Sequence, residues 1–151
     1  MEFRTASIED LPDIVKLLAD DALGQTRETY LDPLPDEYIK AFEAMEKQEG
    51  NQIILAVDNG EVVGCLQLTF IPTIARGGMT RAQIEGVRVK RSHRKKGIGQ
   101  AMFEEAIRLA REYGCVLVQL TTDKKRTDAH GFYERLGFKV THEGIKLDLS
   151  L

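Results

Sequence analysis

The chain predicts an α/β fold of the α+β kind: a central mixed, mostly antiparallel sheet with helices on both faces. Three observations carry that expectation. The element order read from apolar spacing is strand, two helices, three strands, helix, strand, helix, strand. A strong turn signal, Asp58-Asn59-Gly60, separates two runs rich in aliphatic and β-branched residues. A third strand-like run, ending at Val89, passes through a basic, glycine-containing stretch into a long amphipathic segment.

Each element has a local reason. Residues 2–5 suit a short first strand, and Ser7 with Asp10 three positions on approximates a capping box that opens a helix. Its apolar face would be Leu11, Ile14, Val15 and Leu18, with Gly24 ending it. Asp32-Pro33-Leu34-Pro35 is a stiff connector, and Pro35 suits the first turn of a second helix over 36–48. The hairpin strands fall at 52–57 and 61–70, with Pro72 as a stop and 75–78 as a mobile loop. Residues 80–89 form the next strand. A helix over 97–112 has a stripe of Ile98, Met102, Ala106, Leu109 and Tyr113, and Gly114 is its C-cap. Residues 116–121 read as a buried strand, 128–136 as a short helix stopped by Gly137, and 139–149 as the strand that closes the sheet.

Bulk properties narrow the functional classes. At 151 residues the chain is one domain, 1–151, by size, and 42% hydrophobic with 30% charged residues is ordinary for a globular protein. A net charge of −3 speaks against nucleic-acid binding. The N-terminal residues hold no apolar signal region, and the longest apolar run, 53–57, is far too short to span a membrane. Cys65 and Cys115 sit in apolar segments and read as core residues in a reducing compartment. His93, His130 and His142 lack metal-ligand spacing. A cytoplasmic, metal-free protein with no membrane partner is expected, its state between monomer and homodimer open.

The basic passage carries the chemistry. Arg94-Lys95-Lys96-Gly97-Ile98-Gly99 lies between a strand and a helix start, where backbone N–H groups and a positive dipole end meet an anion. Glycine lets that anion approach closely, and the cations add full charge. A dinucleotide fingerprint is excluded because Met102 stands at the third glycine position, and no Walker run exists. A solvated cluster of lysines is the plain alternative.

The remaining pattern, a basic residue, two spacers, Gly97, one spacer and Gly99, resembles the pyrophosphate loop of the GCN5-related N-acetyltransferases (GNAT family). A second stretch, Ala129-His130-Gly131-Phe132-Tyr133-Glu134-Arg135-Leu136-Gly137-Phe138, resembles the C-terminal helix of that family, and the element order resembles its fold along essentially the whole chain. The resemblance implies an acetyl-CoA-dependent N-acetyltransferase acting on a primary amine by direct transfer in a ternary complex. It implies pantetheine pairing with the backbone around Val87, Arg88 and Val89, and pyrophosphate binding by Arg94, Lys95, Lys96, Gly97, Ile98 and Gly99. Glu85 would be the general base, at the position that polyamine-type members use, and Tyr133 the general acid beside the CoA sulfur. Gln83 stands where some histone-acetylating relatives carry a functional residue, but glutamine cannot be a base. Arg126 stands where many relatives have a cofactor-contacting asparagine.

A catalytically idle acyl-CoA sensor of the same fold is the alternative. Neither cysteine sits near these motifs with a histidine partner, so an acyl-cysteine route is disfavoured. Residues 20–50 hold nine acids against three bases, a balance of −6, which suggests a small cationic amine acceptor.

Overall fold

The computed structural model describes residues 1–150. By contact the chain forms two compact units, one of Met1–Gln119 and one from Leu120 onward. The sheet runs in the order β1-β2-β3-β4-β5, with β1 Glu2–Thr5, β2 Asn51–Asp58, β3 Glu61–Pro72, β4 Thr80–Val89 and β5 Leu117–Leu120, the last residue of which begins the second unit. The first four strands pair antiparallel in sequence. Val116 N–H donates to Thr80 O at 3.0 Å and Gln119 to Gln83 at 3.0 Å, so contacts advance together along β5 and β4 as in a parallel pair. The mixed, mostly antiparallel sheet is the one the sequence predicts.

The β2–β3 hairpin closes through Asn59 (φ 49°) and Gly60 (φ 78°), the left-handed pair that a two-residue turn requires. Helices α1 (Leu11–Ala19), α2 (Gly24–Arg27) and α3 (Asp36–Glu46) follow β1. A 3-10 turn, Ile8–Asp10, precedes α1, where Ser7 N–H donates to the Asp10 carboxylate at 2.9 Å. Ala75–Gly78 forms a single turn, α4, whose backbone is left-handed at Arg76 (φ 56°), Gly77 (φ 74°) and Gly78 (φ 77°). Helix α5 (Ile98–Tyr113) connects β4 to β5.

The two faces of the sheet are covered by different helices. Ile14 and Leu17 of α1 pack with Leu55, Val57 and Cys65, while Leu11 and Val15 meet Phe42 of α3. Gly64, next to Cys65, must face the other way, and a Cβ there would come within 2.8 Å of Met102 Sδ in α5. Helices thus lie on both faces.

Several expected boundaries shift. Helix α1 ends at Ala19, and Gly24 begins α2 instead of ending the first helix. Leu17 is the buried α1 residue of the last turn, and the expected Leu18 packs half-buried against the same cluster. On α5 the stripe is Ile98, Met102, Phe103, Ala106 and Ala110. Leu109 flanks it, and Tyr113 is exposed yet stacks on Phe70 at 4.2 Å. A 3.6-residue period drifts relative to a strict i+4, i+3 pattern, and packing chose the adjacent row.

β5 is not the buried strand expected at 116–121: Val116 is 73% exposed and Leu117 37%. The second unit contains α6 (Ala129–Arg135), closed by Gly137 at φ 94°. The strand expected over 139–149 is not formed; no helix or strand is present from Phe138 to Ser150. Alternating Ile145, Leu147 and Leu149 stay exposed. Period-two spacing makes a segment fit for a sheet but does not supply the partner edge.

Candidate active site

The site begins with a defect in β4. Gln67 pairs with Glu85, and Cys65 with Arg88, so two steps along β3 oppose three along β4. The extra residue is a β-bulge at Gly86, whose φ of 58° costs least for glycine. Cys65 and Gln67 share a face, so the bulge turns both Glu85 and Arg88 toward the α1 side. Glu85 is exposed there.

Beneath the bulge lies a cavity of about 40 Å³ lined by Ile14, Leu18, Ile53, Cys65, Gln67 and Gly86. The Cys65 thiol donates to Gly86 O at 3.7 Å. The cysteine is therefore close to the bulge, a proximity that spacing alone does not reveal. Burial pushes its thiol up to about 12, so a Cys65 thiolate is scarce at neutral pH. That is poor chemistry for an acyl-cysteine route.

Past Val89, a 3-10 turn (Arg91–His93) leads into the glycine passage. Gly97 is the N-cap of α5 at φ 80°, and Lys95 is also left-handed at φ 64°. A Cβ at Gly97 would meet nothing within 4 Å, so the backbone faces open space there. The first N–H groups of α5, including Ile98 and Gly99, have no intrahelical acceptor. These donors and the open space at Gly97 are what a bound anion would need.

The cations around it divide into two sets. Arg88 pairs with Asp21 at 3.2 Å, and Arg91 with Asp20 at 3.4 Å. Arg94 donates to Val89 O at 3.1 Å and Asp20 O at 3.3 Å. Lys90 pairs with Glu61, and His93 lies 3.6 Å from Asp58. Lys95 and Lys96, by contrast, have no partner among the described residues. Arg88, Arg91 and Arg94 hold the segment after α1 against the β4–α5 junction, and the two lysines remain for a ligand. Asp20 and Asp21, two of the acids behind the −6 balance, are spent on these arginines.

On the α1 side, beyond that helix, the sheet surface turns polar. Asn51 Oδ1 accepts from Gln67 at 3.0 Å and from Thr69 at 3.3 Å, beside the Gln119–Gln83 bond. Arg81, Gln83 and Glu85 alternate with buried Ala82 and Ile84, so all three lie on this face. The i, i+2, i+4 spacing of Arg81, Gln83 and Glu85 around the apolar Ala82 and Ile84 is the sequence signal for this surface, and it adds Arg81 to the expected site residues.

Tyr133 lies in the second unit, half-buried in α6, edge-on to Phe132 (centroids 5.5 Å) and Phe138 (6.1 Å). Arg126 donates its backbone N–H to Asp123 O at 2.9 Å in the preceding turn. No group of potential metal-ligating side chains is found among the described residues, and no helix there is long and apolar enough to cross a membrane.

Residues 13–138 match the sequence model of the acetyltransferase (GNAT) family. A glucosamine 6-phosphate N-acetyltransferase of Trypanosoma brucei brucei is 36% identical over 90 residues, 60% of this chain and 59% of that one. An aminoalkylphosphonate N-acetyltransferase of Salmonella typhimurium is 36% identical over 88 residues, 58% of this chain and 56% of the other. The chain thus spans less than two thirds of the length of these two curated relatives. Among solved structures, one from Bacillus halodurans C-125, described as a transcriptional regulator, superimposes with a TM-score of 0.95 at 48% identity, covering 98% and 99% of the two chains. An acetyltransferase of Trypanosoma brucei gives 0.77 at 29% identity, with 98% and 99% covered. With the family matched over most of its length and this fold shared end to end, the chain belongs to the acetyltransferase (GNAT) family.

Proposed function

We propose that this protein transfers the acetyl group of acetyl-CoA to the primary amine of a small acceptor, directly and within a ternary complex. The observation that carries the reading is the open, left-handed Gly97 cradle at the end of a strand whose bulge presents Glu85. The names of the two curated relatives, both small-amine N-acetyltransferases, support it.

In this reading the pyrophosphate meets the N–H groups from Lys96 to Gly99, with Lys95 and Lys96 as counter-charges and Arg94 behind them. The pantetheine runs along Val87, Arg88 and Val89, at and just past the bulge that shifts the β3–β4 register between Glu85 and Arg88. Only a neutral amine attacks a thioester, and a free alkyl ammonium has a pKa of about 10. Glu85 accepts the ammonium proton, directly or through water. The amine nitrogen bonds to the thioester carbon, the C–S bond breaks, the departing thiolate takes a proton from Tyr133, and the proton that the nitrogen sheds on becoming an amide restores the tyrosine, directly or through water. A thiol pKa of about 8.5 makes this last donation the less demanding one.

Acetyl-CoA at a hundred times its Kd should stabilise the fold by about 2.7 kcal/mol. Gly97→Val should remove that stabilisation, because a β-branched side chain both resists φ 80° and fills the cradle. Glu85→Gln should lower kcat by roughly a hundredfold or more and erase the acidic limb of the pH–rate profile, with acetyl-CoA affinity retained. Tyr133→Phe should cost about tenfold to a hundredfold. Wild-type turnover in both variants would refute the assignments.

A second reading is a catalytically idle acyl-CoA sensor; the Bacillus halodurans structure is described as a transcriptional regulator, a role that binding without turnover would serve. Cofactor-induced stabilisation with no thiol release across an amine panel would decide for it.

A further inference from the structure

The polar face of β4 contains a cation that the fold leaves unused. Arg81 is half-buried, its Nε–H is shut off from solvent, and no hydrogen bond or ion pair to it is found among the described residues. Buried guanidinium donors are ordinarily satisfied, and an orphan of this kind calls for an explanation. Arg88 Nε is likewise buried without a hydrogen bond, but it lies 3.2 Å from the Asp21 carboxylate, and Arg91 and Arg94 also have protein partners; Arg81 has no carboxylate beside it among the described residues.

Position gives the orphan its meaning. Arg81 pairs with Ile71, Gln83 with Thr69 and Glu85 with Gln67, so the three lie in one row on one face. At about 3.3 Å per residue the row is roughly 13 Å long from Cα to Cα. The charges run from anionic at Glu85, through the neutral Gln83 amide, to cationic at Arg81. A ligand lying along it meets a proton acceptor at one end and a planar, bidentate anion binder at the other.

We propose that Arg81 is an acceptor-recognition residue, and that the acceptor carries an anionic group (carboxylate, phosphonate or phosphate) at the end remote from the amine that Glu85 deprotonates. The inference rests on the acetyl-transfer reading and names the acceptor class for it. It differs from the small cationic amine suggested by acidic residues 20–50, two of which, Asp20 and Asp21, are paired with arginines. A second cation on the acceptor would meet Arg81 with like charge.

The experiment is calorimetric binding in the presence of free CoA, which permits the acceptor to bind without reacting. The ligands are a homologous series of ω-aminoalkylphosphonates and ω-amino carboxylates, set against alkylamines and diamines of matched length. Wild type should bind the best anionic member at least tenfold more tightly than its neutral match. Arg81→Gln should abolish that preference while leaving alkylamine and CoA affinity unchanged, and Arg81→Lys should retain part of it. Equal affinity for anionic and neutral ligands, or a preference that survives Arg81→Gln, would overturn the proposal. Turnover of the same amines with acetyl-CoA is measured in parallel. An anionic preference lost in Arg81→Gln, with no turnover of any amine, would support the anion site and refute acetyl transfer instead.

Discussion

The two faces of the sheet differ in what their residues are spent on. The α5 face is apolar and closed: Met102, Phe103 and Ala106 are fully buried against Leu66, Leu68, Ala82 and Ile84 of the strands. The opposite face is apolar only as far as α1 reaches, at Leu55, Val57 and Cys65. Beyond it come Asn51, Gln67, Thr69, Gln83, Glu85 and Arg81, half-buried or exposed. Tolerance to change should follow this division. One face supports the fold, and the other sacrifices burial to hold donors, acceptors and charges in place.

Substitutions should separate the faces in order of size. The largest effect is Phe103→Ala, where a fully buried ring is lost from the α5 face. A loss of about 3–5 kcal/mol is expected from urea unfolding. A loss under 1 kcal/mol would mean that this face is not the main apolar support.

Next is the Arg4–Asp10 pair where the chain enters α1, with both contacts at 2.8 Å. The Arg4 guanidinium and the Ser7 N–H hold the Asp10 carboxyl at about 2, below its ordinary value near 4. A depressed carboxyl stabilises the fold above its unfolded pKa, and that stability is lost as pH falls from about 4 through about 2. Arg4 is 38% exposed, so about 1 kcal/mol is expected rather than the full linkage value. Asp10→Asn should flatten the acid limb of the stability curve over that interval; an unchanged limb would assign acid sensitivity elsewhere.

The smallest effect on stability should come from the polar face. Gln83→Leu removes one half-buried amide, and its unfolding free energy should stay within about 0.5 kcal/mol of wild type. Acceptor kcat/KM should nevertheless fall about tenfold, the worth of one hydrogen bond. A stability loss comparable with that of Phe103→Ala would erase the distinction between the faces.

Much of this division is legible along the chain, because it is local. Asn59-Gly60 announces its turn, and residues 80–89 are found as the strand expected from their alternation. The cradle stands out because its glycines and cations are contiguous. What does not show is anything that depends on distant partners. Arg91 and Asp20 are 71 residues apart, so nothing local says that a cation of the cradle is bound to the end of α1. The strand expected at 139–149 fails for a related reason, since its alternation is real but its pairing is not formed. Leu17 and Leu18 are chemically equal and both pack against the core, so which of them is the more buried is set by how α1 sits on the sheet.

The bulge at Gly86 behaves like a frameshift in a two-letter code. Up to Glu85, odd-numbered β4 residues face α1 and even-numbered ones face α5; from Arg88 onward the parity is reversed. A library that varies every second position along β4 would therefore sample the polar surface at one end and the core at the other. Its reading frame has to be reset at Gly86.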